Sequence, residues 1–184
     1  MSWDWAAPRL IPLLSRPAFD PPGSGLVRVT TELGFAVEFG VDLGIAITEV
    51  DESVAQRWEC SPDQLWSTAL RNLKDRSERL PVSTAMSGAL SGRRIRIVRG
   101  RPLWASSLVL VPDQLMRLFG DHDQLIAAAG RATLISLPFD TPTEVAASLV
   151  IDFEMAEPWP LFFAPFALED RALRWMDQAA DEDW

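Results

Sequence analysis

Between Val27 and Ile47 every odd position is apolar or β-branched: Val27, Val29, Thr31, Leu33, Phe35, Val37, Phe39, Val41, Leu43, Ile45 and Ile47. Arg28, Thr30, Glu32, Glu38 and Asp42 fall between them. A period of two is the mark of extended chain, whose side chains point alternately to opposite faces of a sheet. Gly40, Asp42 and Gly44 divide the run, which predicts a strand over about 26–39 and another over about 44–50, with Gly34 at a bulge. One face of that sheet belongs to a core and the other to water.

Helical spacing takes over downstream. Ser61, Pro62 and Gln64 form a capping box with proline at the first helical position, and Leu65, Trp66, Ala69, Leu70 and Leu73 follow at intervals of three and four. This predicts a helix over about 62–77 that covers a sheet, preceded by a short helix over about 51–58. Ile95 and Ile97, and then residues 103–111, read as extended segments around a turn at Arg99, Gly100, Arg101 and Pro102. Pro112 opens a brief helix that Gly120 stops, and residues 125–129 and 133–137 form a candidate hairpin about Gly130 and Arg131, with a helix over the alanine run as the alternative. Thr141, Pro142 and Glu144 repeat the capping pattern before a second long helix over about 142–156. Leu168, Ala172, Trp175 and Met176 have the spacing of a final helix.

Strands and helices alternate too irregularly for a doubly wound parallel sheet. The chain therefore reads as α+β: a single domain with an antiparallel-rich mixed sheet covered by helices. At 184 residues it buries a sizeable core without disulfides or metals. Pro8, Pro12, Pro17, Pro21 and Pro22, with Gly23 and Gly25, mark residues 1–25 as an N-terminal arm in which any helix between Arg9 and Ser15 is short. The domain spans 26–176, and 177–184 form an acidic tail.

A net charge of −9 opposes non-specific attraction to nucleic acid or an anionic membrane. Cys60 is the only cysteine and His122 the only histidine, so no intramolecular disulfide forms and no classical zinc site can be built. The N-terminus does not read as a signal peptide, and no stretch approaches the roughly 20 apolar residues of a membrane span. These features point to a cytoplasmic protein with no membrane association. No P-loop, GxGxxG or EF-hand pattern is present, and no cofactor or metal is implied.

The spacing of Trp58, Leu65, Ala69, Asn72 and Leu73 resembles that of the bacterial YtpQ-like proteins, a family of unknown function. Ala105, Ser106, Ser107 and Leu108, leading to Pro112, are similar to that family's strand before a proline-started helix. The resemblance covers about residues 44–140 and implies no activity. It places Gly130 and Arg131 at a turn where the family carries an aspartate and this chain has Ala132.

No catalytic constellation emerges from the residues. His122 lies among Gly120, Asp121 and Asp123, in a loop rich in turn formers and without a nucleophile elbow. Cys60 has no second cysteine and no evident base, and reads as structural. The pairs Asp51 and Glu52, Asp121 and Asp123, and Asp152 and Glu154 read as solvated acids. Asn72 either binds a ligand or ties down a neighbouring loop.

Two features stand out. Arg94, Arg96, Arg99 and Arg101 form the one concentrated basic segment, either an anion or partner patch or the charged edge strand that discourages sheet aggregation. Trp159, Leu161, Phe162, Phe163 and Phe166 are too apolar to be left in water; they close the core or present a protein interface. The readings that follow are a non-catalytic protein-binding module of adaptor, immunity or chaperone-like kind, or an enzyme built on a carboxylate and arginine cleft. Phosphate or nucleic-acid binding through Arg93 to Arg101 is a minor third. The partner is another protein or a second copy of the chain.

Overall fold

The computed structural model describes residues 1–15, 25–90, 92–161 and 163–176. In chain order the elements are α1 (Trp3–Ala6), β1 (Leu10–Ser15), β2 (Arg28–Thr30), β3 (Ala36–Asp42), β4 (Ile47–Glu49), α2 (Glu52–Arg57) and α3 (Pro62–Glu78). Then come β5 (Met86–Leu90), β6 (Arg93–Arg99), α4 (Pro112–Phe119), β7 (Gln124–Gly130), β8 (Thr133–Pro138), α5 (Thr143–Glu154), β9 (Phe166–Glu169) and β10 (Ala172–Trp175). Short 3-10 helices occupy Ala7–Arg9, Val82–Thr84 and Ala105–Leu110. The α+β class stands, and every strand pairing among the described residues is antiparallel. The strands form two sheets where the sequence pointed to one. The first runs β1-β3-β2 with β4 also on β3, and the second runs β10-β9-β7-β8-β6-β5.

The alternation around β3 is real, but neither of its faces is wet. Phe39 and Val41 pack with Leu65 and Ala69 of α3, while Glu38, on the opposite parity, is also buried. On the Glu38 side, Ile11 and Leu13 of β1 join a core with Val98, Ile126 and Leu134 of the second sheet and with Ala105 and Leu108 of the 3-10 helix, and Arg131 reaches Glu38 itself. The second sheet is likewise two-faced. Ile126, Ala128 and Leu134 join the central core, and Leu125, Ala127, Ala129, Ile135 and Leu137 pack with Ala146, Leu149 and Val150 of α5.

Helix α3 has its predicted capping box, with the Ser61 hydroxyl accepting from the Gln64 amide at 3.2 Å and the Gln64 side chain accepting from the Ser61 amide at 2.8 Å. Asp51 caps α2, and the Ser53 hydroxyl and the Val54 amide hold its carboxyl below the ordinary value. Helix α4 and the β7–β8 hairpin also form where the spacing placed them.

Other expectations are corrected. The segment between Arg9 and Ser15 is strand β1, not a helix, because Leu10, Ile11, Leu13 and Leu14 are buried on both faces and their unbroken apolar run carries no period. Pro12 is tolerated because, among the described residues, β1 pairs on one side only, with β3. Residues 103–111 do not pair with β6; they include the 3-10 helix, whose residues 105–109 are buried all round and so also lack a diagnostic period. The final helix is instead the hairpin β9–β10, whose turn puts Asp170 and Arg171 at φ of 48° and 66° without a glycine to announce it. Gly34 lies in the β2–β3 turn rather than at a bulge, its amide donating to Thr31 O at 2.8 Å. Thr141 does not cap α5; its hydroxyl donates to Pro138 O. Much of the 16–25 connection and the whole 177–184 tail lie outside the described residues. Among the described residues no helix is long and apolar enough to cross a membrane.

Gly40 marks a point of close approach in the first sheet. A Cβ there would lie 2.3 Å from Ile47 Cγ2 and 2.8 Å from Leu13 Cδ1. Gly40→Ala is expected to destabilise the fold by about 1 to 3 kcal/mol through overpacking, read as a lower urea midpoint at unchanged slope.

Candidate functional site

The 3-10 helix Ala105–Leu110 is wedged between the sheets and pinned to both. The Ser107 hydroxyl donates to Pro12 O of β1 at 2.6 Å. The Ser106 amide and hydroxyl both donate to Arg131 O, each at 3.1 Å, which holds the β7–β8 turn in place. From that turn the Arg131 guanidinium crosses to the first sheet. Its Nη2 donates to Glu38 Oε2 at 2.7 Å and its Nη1 to Glu49 Oε1 at 2.5 Å. The other oxygen of Glu38 takes Arg28 Nη2 at 2.5 Å and the Ser15 hydroxyl at 2.7 Å. With its side chain only 3% exposed, Glu38 is a buried carboxylate with partners on both oxygens.

Beside this bridge lies a cleft of about 670 Å³. Ile45, Ala46, Ile47 and Glu49 line it from the first sheet, and Arg99, Gly100, Leu103, Arg131 and Ala132 from the second sheet and its loops. The segment after α5 contributes Ala156, Glu157, Pro158 and Trp159. That segment is threaded along the end of β7, with Arg131 N donating to Trp159 O at 3.4 Å and Leu161 N to Ala129 O at 3.3 Å. Glu157 Oε1 accepts from the Thr133 hydroxyl at 2.7 Å and lies 3.5 Å from Arg99 Nε. Gly130 makes room for it, since a Cβ there would stand 2.7 Å from Glu157 Cγ. Arg99 also lies over the Phe153 ring, 5.5 Å from its centroid.

The arginine segment does not form a single row. Arg94 and Arg96 share the face of β6 that carries Val98 into the central core, whereas Arg99 lies on the α5 side with Ile95 and Ile97. Arg96 donates to Val82 O and Ala85 O, and Arg93 pairs with Asp140 at 3.0 Å. Arg101 is exposed in the loop beyond β6. The edge-strand expectation is corrected as well, because β6 lies between β8 and β5 and the edge belongs to β5.

In the aromatic segment, Leu161, Phe163 and Phe166 are core residues, with Phe163 and Phe166 packed edge-on to Phe35 at centroid distances of 5.5 and 5.0 Å. Phe162 lies outside the described residues. Trp159 alone of the described set is exposed, at 61%, and it lines the cleft. Asn72 ties down the N-terminal chain, its amide donating to Ala7 O at 2.6 Å and Leu10 O at 2.9 Å. His122 is exposed in its loop. Burial pushes the Cys60 thiol up, away from a reactive thiolate. No group of acids, histidine or cysteine among the described residues could hold a metal ion.

Sequence reasoning missed Glu38, Glu49 and Glu157 as site residues and assigned no role to Arg131. Glu38 sits at a position that alternation assigns to water, and nothing local announces that a second sheet covers it. Gly130 and Arg131 were visible only as a turn.

The bridge makes a direct test possible. Arg131→Met leaves the buried Glu38 with Arg28 and Ser15 as remaining partners and is expected to cost on the order of 3 kcal/mol. Glu38→Gln in the same background should recover part of that loss, as a double-mutant cycle followed by urea denaturation would read. Comparison with protein-family models, characterised proteins and solved structures returns no match, so the cleft and its neighbours carry the functional argument.

Proposed function

We propose that the chain is a non-catalytic protein-binding module, of adaptor, immunity or chaperone-like kind, and that the cleft beside Arg131 is its recognition site. The observation that carries this reading is the pairing of Ile45, 81% exposed, and Trp159, 61% exposed, in the lining of one cleft. Leu43 and Met155, also exposed, lie close by in the chain. Burying a large apolar side chain contributes about 1.5 to 3 kcal/mol, and tryptophan is among the residues that dominate protein interfaces. The walls are strands and turns held by hydrogen bonds and ion pairs, so little ordering cost accompanies binding.

A second reading, an enzyme with a carboxylate and arginine cleft, draws support from Glu49 and Glu157. These acids line the same cleft in unlike surroundings, with side chains 40% and 7% exposed. Hydrolysis by two carboxylates requires such a difference.

Tagged full-length chain, recovered from its own host at native expression and analysed by mass spectrometry and light scattering, tests the first reading. A stoichiometric protein partner, or a second copy, should be retained by the unaltered chain and lost at least tenfold by Trp159→Ala at unchanged melting temperature. Retention of the partner by an Ile45→Ser, Trp159→Ala double variant would remove the cleft from the interface. Turnover of an aryl glycoside panel that disappears in both Glu157→Gln and Glu49→Gln would instead establish the second reading.

A further inference from the structure

We propose that the partner segment bound in this cleft carries an acidic side chain beside its apolar anchor, and that Arg99 receives the carboxylate. The proposal rests on the reading of the cleft as a protein-binding site. Its basis is which charges at the cleft are already spent.

Arg131 is committed to Glu38 and Glu49. Glu157 takes the Thr133 hydroxyl and faces Arg99 only through Nε, at 3.5 Å. The Nη1 and Nη2 groups of Arg99 make no hydrogen bond among the described residues, although its side chain is 46% exposed and lines the cleft. The Phe153 ring lies behind the guanidinium. A guanidinium held along one edge by a carboxylate and backed by a ring offers its remaining N–H groups as a planar fork, which matches a carboxylate. Arg101, exposed two residues further on, makes no ion pair among the described residues.

A cationic anchor would meet less favourable chemistry. Glu49, 40% exposed, already gives Oε1 to Arg131 and has only Oε2 left for a cation, and Glu157 is 7% exposed with its Oε1 occupied. A carboxylate instead meets N–H donors that have no other protein partner. The chain's net charge of −9 repels an acidic segment at a distance, so discrimination has to come from the short-range contact at Arg99, within about one Debye length of 8 Å at physiological salt.

Panning a phage-displayed random peptide library against the full chain tests this. Enriched sequences should place a large apolar residue within three positions of Asp, Glu or a free C-terminal carboxylate. A fluorescein-labelled synthetic copy of the leading sequence should bind about tenfold or more weakly when its acid is replaced by the amide, in line with the loss of a charge-assisted contact. Arg99→Ala should weaken binding by a similar factor, Arg99→Lys by less, and Arg99→Glu should turn the selection towards Lys or Arg. Melting temperatures check each variant, and Arg99→Lys, which keeps the charge, serves if Arg99→Ala fails to fold. Enriched peptides that lack an acid yet lose binding in Trp159→Ala would overturn the acidic partner and leave the binding-module reading in place. Peptides bound equally by Trp159→Ala, or no enrichment at all, would overturn both.

Discussion

Arg131 carries a positive charge from the turn between β7 and β8 onto two carboxylates of the other sheet, and it reaches them because Ser106 holds that turn by its carbonyl. The consequences run in both directions. On one side, Glu38 is a buried carboxylate in the middle of β3, and two arginines and a hydroxyl meet its oxygens. On the other, the 3-10 helix that supplies Ser106 also supplies Ser107 to β1, so a single short buried element sets the distance between the two sheets. Hydrophobic packing holds each sheet to its helix and joins the two sheets through the central core, and this polar seam adds specific pairings between them.

The cleft is a by-product of that seam. Its walls come from the β3–β4 hairpin, the end of β6, the β7–β8 turn and the chain after α5, segments far apart in sequence. Each is anchored separately: Glu49 by Arg131, Glu157 by Thr133, and the strand-like stretch around Trp159 by β7. Apolar side chains on a frame of satisfied polar groups make a surface that is rigid and still incompletely buried, which suits recognition by another chain. The same arrangement leaves Arg99 with unspent donors, because its nearest carboxylate is engaged mainly by Thr133.

How much of this was legible depended on whether the signal was local. The capping box at Ser61 and Gln64 closes within four residues, and α3 forms where it says. Gly120 stops α4 for the same kind of reason, and the β7–β8 hairpin follows from two apolar runs about a polar turn. Failures came where an element is buried on all sides. β1 is buried along its whole length and residues 105–109 of the 3-10 helix are buried too, serines included, so neither shows a period of exposure to read. The β9–β10 hairpin was missed because Asp170 and Arg171 adopt a left-handed turn without glycine.

By itself the sequence determined the α+β class, the positions of its best-capped helices, the antiparallel habit of its strands and that the segment from Trp159 to Phe166 needs cover, from the core or from a partner. These are consequences of periodicity, capping and hydrophobicity, which act within a few residues or on a side chain's own chemistry. Only the tertiary structure decided that the strands divide into two sheets, that Glu38 is inside, and that Ile45, Arg99, Glu157 and Trp159 share one cleft. Those outcomes depend on which faces meet across the seam, and charge pairing between residues more than ninety positions apart, such as Glu38 and Arg131, leaves no mark on the spacing of either neighbourhood.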